Sequence, residues 1–253
     1  MKGRALLFGL NYASSPQGKL QGCINDVVNT GKYIQACMPI PVKVCTDDTP
    51  NPETTKTRIL QNLYELGLQS YSENLDFVWI HYSGHGSYIA DRSKDDLDGR
   101  DECLVPSDYA TAGLIDDDTL NRVFNHFSPR TRVLFVCDAC HSGTMCDLKY
   151  SWISPSKRKT ENSQCTVKAK VLTLSGCLDL QTSADAFNVL GDGKYSGALT
   201  SCLLQVLIQM PTLRKDVFKM HAALCIKLKE RGFPQRPLLC STYDLARDRV
   251  FFV

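Results

Sequence analysis

The chain predicts an α/β fold, a doubly wound and mainly parallel sheet with helices on both faces, and three observations predict it. Short apolar runs bounded by turn residues alternate with stretches of helical period. Two of those runs, "FVWIHYSGHG" and "VLFVCDACHSG", pass directly into small polar turns. The length, 253 residues, suffices for one sizeable core of this kind. In a parallel sheet both polar turns fall on the carboxyl edge, where open α/β sheets place their active sites.

Each element follows in order. "RALLFGLN" reads as a strand, "INDVVNTGKYIQAC" as a helix, "PVKVCT" as a strand and "TTKTRILQNLYELGLQ" as a helix capped by Thr. "LDFVWIHYSGHG" repeats the opening pattern and carries His85 into its turn. The acidic "DRSKDDLDGRDECLVPSD" reads as a loop. "DDDTLNRVFNHF" reads as a helix whose aspartates suit its N-terminus, and "TRVLFVCD" as the next strand. From residue 149 to 169 apolar periodicity is lost and Ser, Pro, Asn and basic residues gather, which predicts an exposed linker. Beyond it "AKVLTLSG" and "RPLLCS" read as strands, and "SGALTSCLLQVLIQM" and "LRKDVFKMHAALCIKLKERG" as helices. One domain over 1–253 is expected, as a block 1–148, the linker 149–169 and a second block 170–253.

Composition excludes several classes. A net charge of +2 with 22% charged residues gives no basic field, so no nucleic acid is expected. No run is long enough to cross a bilayer, so no membrane association is expected. The N-terminal apolar stretch is too short for a secretion signal and reads straight into a strand, and no pro-domain is expected before it. Twelve cysteines in a chain able to bury a core, many inside apolar runs such as "SCLLQVLI", read as small buried hydrophobes rather than a disulfide framework. A reducing cytoplasmic compartment follows.

The two polar turns bring a histidine and a cysteine to one edge. A thiol is mostly protonated near neutral pH, and an adjacent imidazole makes it a usable nucleophile. Cys140, in the turn, is placed for that role, whereas Cys137, inside the strand, reads as packed core. His141 follows Cys140 directly, and chain neighbours point to opposite faces, so His85 is the better base. Caspases place their histidine about fifty residues before the cysteine, a comparable spacing.

"HYSGHGS", "DGRDECLVPSD", "LIDDDTL", "DACHSGT" and "SGCLDLQTSAD", in that order, resemble the metacaspases, caspase-related cysteine peptidases. The resemblance spans nearly the whole chain and implies a caspase-like fold, with a large-subunit-like block before a small-subunit-like block. It implies a Cys140–His85 dyad, an oxyanion site at the N–H groups of Gly86 and Cys140, and protein or peptide substrates cut after Arg or Lys by a monomer. Asp138 stands where caspases, which cut after Asp, carry Gln; a carboxylate there can form a charge-assisted pair with a substrate cation. The resemblance adds Cys23, Asp26 and Ser83 to the pocket, although Asp26 alone reads equally as a helix N-terminal aspartate. An enzyme with this specificity could cut its own linker, at Lys149, Lys157, Arg158 or Lys159.

Calcium is the expected cofactor. An EF-hand register centred on Gly99 fails, because Lys94 and Val105 occupy required ligand positions. The resemblance instead implies a site of Asp101, Asp117, Asp118 and Asp147, whose mutual repulsion a hard divalent cation would relieve. Without it, Asp117 and Asp118 read as helix-start residues and Asp101 as solvated. Three other readings compete. His81, His85, Cys137 and Cys140 have a zinc-like count, Cys137 and Cys140 could be a redox pair, and the chain could be a non-catalytic scaffold.

Overall fold

The computed structural model describes residues 1–13, 15, 18–90, 100–140, 145–176, 185–187 and 194–252. The "SGCLDLQTSAD" motif beyond Gly176 (its final Asp185 apart), Lys94, Gly99, and His141 in the turn after Cys140 lie outside them. The N-terminal half supplies β1 (Gly3–Gly9), α1 (Cys23–Cys37), β2 (Val42–Thr46), α2 (Lys56–Ser72) and β3 (Phe77–Ser83). Next come β4 (Gly86–Ala90), β5 (Arg100–Leu104), α3 (Tyr109–Ala112), β6 (Ile115–Asp116), α4 (Asp117–Phe124) and β7 (Arg132–Asp138). The rest comprises β8 (Tyr150–Ser154), β9 (Lys157–Thr160), β10 (Lys170–Ser175), β11 (Asp185–Phe187), β12 (Tyr195–Gly197), α5 (Ala198–Gln209), a 3-10 turn at Pro211–Lys215, α6 (Val217–Glu230) and β13 (Leu238–Ser241).

Eight strands form the central sheet in the order β2-β1-β3-β7-β10-β13-β8-β9. The first five run parallel and the last three pairings are antiparallel. Strands covered on both faces need apolar residues at nearly every position, which is why β3 and β7 read as continuous runs. Alternation sorts their side chains between two cores. Val78, Ile80, Tyr82, Val133, Phe135 and Cys137 pack with α2 and α4, whereas Phe77, Trp79, Leu134 and Val136 pack with α1, α5 and α6.

Local chemistry fixes the helix ends. Thr55 caps α2 by accepting from Arg58 N, as expected, and Asp116 caps α4 by accepting from Thr119 N at 2.8 Å. The last predicted helix is divided: Asp216 ends the 3-10 turn and caps α6 through Phe218 N and Lys219 N.

Two stretches read as loops are strands. β5 lies within the acidic segment and pairs antiparallel with β4 and β6 in a small side sheet. The segment 149–169 contributes the β8–β9 hairpin, which extends the main sheet rather than crossing solvent. Trp152 anchors it in the core and donates to Ser241 Oγ at 2.8 Å. β9 is exposed on both faces and so lacks alternation; Arg158 lies 4.3 Å from the Tyr150 ring centroid and pairs with Asp244 at 3.1 Å, while Lys159 pairs with Glu161 at 2.6 Å. Lys157, Arg158 and Lys159 therefore stand on an ordered edge strand. Lys149 lies just before β8, its ammonium 5.4 Å from the Tyr150 ring.

Candidate active site

The ends of β3 and β7 are neighbours, with Ser83 opposite Asp138 in register. Gly84 N donates to Asp138 O at 3.3 Å, and Gly86 packs so closely that a Cβ there would overlap the Cys140 carbonyl. Glycine is thus required where the two turns meet, and the contact sets His85 and Cys140 on one edge. Cys140 is half-buried, whereas Cys137 is fully buried in the core, as expected for packing. Burial pushes the thiols of Cys45, Cys103 and Cys202 up to about 12, so these remain protonated and inert.

His85 is held from three sides. Its N–H donates to Tyr12 Oη at 2.9 Å, its carbonyl accepts from Tyr82 Oη at 2.9 Å, and its ring lies 4.7 Å from that of Tyr12. Nε2 lies 2.5 Å from Gly18 O. A carbonyl only accepts, so this contact assigns the proton to Nε2 and leaves Nδ1 as the basic nitrogen. Gly18 thus stands behind the imidazole of His85 and orients its ring. It adopts φ +79°, in the left-handed region. Tyr12 is left-handed too, at φ 52°, and Asp47 holds that turn by accepting from Asn11 N and Tyr12 N at 2.9 and 2.5 Å. A main-chain carbonyl has no residue signature, so sequence reasoning missed Gly18.

On the other face of the same strand ends lies a pair of buried carboxylates. Asp26 accepts from Ser83 Oγ at 2.6 Å and from Gly197 N at 2.9 Å; Asp138 Oδ2 accepts from Thr200 N and Thr200 Oγ1, both at 2.8 Å. The N-cap of α5, Gly197, offers no side chain, so Asp138 from β7 serves that helix instead. A Cβ at Gly197 would overlap Asp138 Oδ2 and stand 2.8 Å from Asp26 Oδ2, which brings both carboxylates to one helix N-terminus. Burying a carboxylate costs several kcal/mol. Charge-assisted hydrogen bonds of roughly 1.5–3 kcal/mol each and the helix dipole offset that cost. Asp26 is in the first turn of α1, and its carboxylate reaches across to Ser83 and Gly197. Cys23 is buried at the start of α1, within electrostatic reach of the Tyr12 and Tyr82 phenols. Asn11 caps α1 by accepting from Cys23 N at 3.0 Å.

The zinc-like set is not brought together. Alternation puts His81 on the face of Trp79 and Cys137 on the opposite face. His81 is completely buried, and burial drives its pKa down to about 3, so it is neutral. Its partner is Thr200.

Of the four aspartates of the expected cation site, Asp101 lies on β5, Asp117 and Asp118 begin α4, and Asp147 lies between β7 and β8. Asp101, Asp117 and Asp147 are buried, contrary to the solvated reading of Asp101. Asp117 accepts from Glu102 N and Asp118 N, turning inward, whereas Asp118 faces Arg122 at 4.0 Å, as a helix-start residue would. Cys146 and Asp147 are both left-handed, at φ 87° and 45°, and Asn121 Nδ2 donates to both carbonyls at 2.9 and 3.1 Å. Cys146 stands in the field of both Asp117 and Asp147, and burial first, Cys137 next and then these charges raise its thiol well above the ordinary range. The donors suit a hard cation in kind, but among the described residues no three acidic, His or Cys side chains are already closed around one point.

A family model described as "Metacaspase, peptidase C14 domain" matches residues 3–149. The chain belongs to the metacaspase family. It is 30% identical over 300 residues to Metacaspase-1B of Aspergillus terreus, covering 98% of this chain and 77% of that one. To Metacaspase-2 of Trypanosoma brucei brucei it is 31% identical over 267 residues, covering 98% and 75%. A solved structure of a Geobacter sulfurreducens protein superposes with a TM-score of 0.69 at 27% identity, over 100% of this chain and 99% of that one. Caspase-1 of Spodoptera frugiperda, at 14% identity and a TM-score of 0.58 over 95% and 85%, shares the fold. This metacaspase is therefore a cysteine peptidase with a caspase-like sheet. Among the described residues no helix is long and apolar enough to cross a membrane.

Proposed function

We propose that this metacaspase is a calcium-dependent endopeptidase that cleaves protein substrates after Arg or Lys. The observation that carries the specificity is the pair Asp26 and Asp138, buried together at the N-terminus of α5 beside the cysteine turn. A substrate guanidinium or ammonium meets fixed negative charge there, whereas a substrate carboxylate meets repulsion.

In the reaction, Cys140 Sγ attacks the scissile carbonyl while His85 Nδ1 takes the thiol proton. N–H groups of Gly86 and Cys140 receive the oxyanion. The C–N bond breaks as His85 protonates the leaving amine, and water hydrolyses the thioester, returning the proton to the thiol. Asp101, Asp117 and Asp147 would hold Ca2+, with Asp118 joining only by leaving Arg122. When bound, the ion supplies positive charge to a crowded acidic wall. Asp147 lies seven residues after Cys140 in the sequence, so ordering this wall would order the nucleophile's turn.

The same specificity makes Lys149, Lys157, Arg158 and Lys159 candidate self-cleavage sites, reached when the β8–β9 hairpin unpairs. Charged residues on β9 also discourage edge-to-edge pairing, which favours a monomer, and the many buried thiols suit a reducing, cytoplasmic compartment. Cleavage of a peptide library with and without Ca2+, on the wild type and Cys140→Ala, tests the reading; a wild-type preference for Asp before the scissile bond would overturn it.

A further inference from the structure

Beneath the carboxylate pair, β3 sets one polar ring on an otherwise apolar face. Phe77 and Trp79 precede His81 on that face and pack in the core. His81 Nε2 lies 3.1 Å from Thr200 Oγ1, and Thr200 gives both its N–H and its hydroxyl to Asp138 Oδ2. The direction of these bonds is fixed. A carboxylate only accepts, so the hydroxyl proton goes to Asp138; Thr200 Oγ1 must then accept from His81, which places the imidazole proton on Nε2. His81 Nδ1 is left as a buried acceptor with no partner among the described residues. Stability alone would favour an apolar side chain at this position.

We propose that His81 and Thr200 are positioning residues for the substrate's basic side chain, a buried chain that fixes the Asp138 carboxylate in one orientation. Threonine in a helix divides between rotamers, one of which turns its hydroxyl back to the preceding turn. The His81 N–H selects the rotamer aimed at Asp138. With Oδ2 held by two donors and enclosed by Gly197, Oδ1 is turned to the Gly176 side, where a Cβ would stand 3.3 Å from it. A carboxylate otherwise rotates broadly about its last bond, and the chain removes that freedom before substrate arrives.

This inference rests on the Arg/Lys specificity proposed above, and its test separates the two. In Ca2+-containing buffer, kcat and KM on Arg and Lys peptides are measured for full-length wild type, Thr200→Val, Thr200→Ser, His81→Leu, His81→Gln and Asp138→Asn. The small guanidinium agmatine is titrated as a protectant of Cys140 against iodoacetamide. Thr200→Val and His81→Leu are expected to raise KM and weaken agmatine protection about tenfold, the loss of one hydrogen bond's worth of orientation, with the loss in KM and not in kcat. Thr200→Ser and His81→Gln, which restore the donors, are expected to recover most of it. If KM and protection stay at wild-type values in Thr200→Val and His81→Leu while Asp138→Asn loses them, the positioning role is overturned and the specificity stands. If the loss falls on kcat, or the conservative variants do not recover it, the role is overturned as well. A wild type that neither prefers Arg or Lys nor is protected by agmatine overturns the specificity and this inference with it. Should His81→Leu not fold, Thr200→Val, nearly identical in shape to the native residue, decides against Thr200→Ser.

Discussion

Two groups of buried aspartates flank the cysteine turn, and they are built differently. Asp26 and Asp138 stand on the main sheet and α1, and their oxygens take N–H and O–H donors from Gly197, Thr200 and Ser83 at a helix N-terminus. Asp101, Asp117 and Asp147 stand on the side sheet, the start of α4 and a loop with two successive left-handed residues. The first group is held by its donors before any ligand arrives, and in the proposed function its ligand is the substrate. The second hangs on a loop that Asn121 holds through two carbonyls, and its arrangement is open. Buried negative charge can be stabilised by aligned dipoles, which give a preformed pocket, or by a mobile cation, which gives a switch.

In the proposed function both groups act through Cys140, so the largest effect is expected there. Cys140→Ala should lower kcat by about four orders of magnitude or more, and His85→Ala by about two to four, with unchanged circular dichroism. Turnover near wild type in Cys140→Ala would detach both groups from the chemistry.

Next in size is the preformed pocket. Asp138→Asn keeps an oxygen for Thr200 N but loses the charge, so kcat/KM on Arg and Lys peptides should fall roughly 100-fold while the thermal midpoint moves little. An equal loss on uncharged substrates would show that Asp138 supports the fold rather than the specificity.

The open group should respond to its ion. Chelator is expected to suppress activity reversibly; Asp147→Ala should abolish the calcium response, and Asp118→Ala, whose carboxylate faces Arg122, should shift the half-saturating concentration less. Full activity in excess chelator would remove the switch from the comparison. Mass spectrometry of the active protein should also find new termini after Lys149, Lys157, Arg158 or Lys159 that Cys140→Ala lacks. The smallest effect belongs to Cys137→Ala, which leaves a small cavity, costs about 1–2 kcal/mol of stability and keeps turnover.

Much of this site was legible in the chain. The runs of β3 and β7 and their polar ends placed His85 and Cys140 together, and its place inside an apolar run assigned Cys137 to the core. The acidic segment and the linker were misread for one physical reason. β5 carries buried acids where strand patterns expect apolar residues, and β9 buries neither face, so neither shows a period of two. In the linker the signal that could have been used was Trp152, a large apolar anchor inside an otherwise polar stretch.

The sequence by itself determined what is local: the order of strands and helices, the Thr55 cap, the nucleophile's turn and the glycines that let two turns meet. These depend on side-chain periodicity and backbone freedom, which short segments carry. Tertiary structure decided what is joined across the chain. Gly18 reaches His85 through a carbonyl that every residue possesses. Gly197 bonds to Asp26 across 171 residues of chain and Thr200 to Asp138 across 62, and His81 finds Thr200 only because β3 lies beneath the start of α5. A hydrogen bond needs two atoms within about 3 Å, and no pattern along one strand or one helix states which distant partner the packed sheet will bring there.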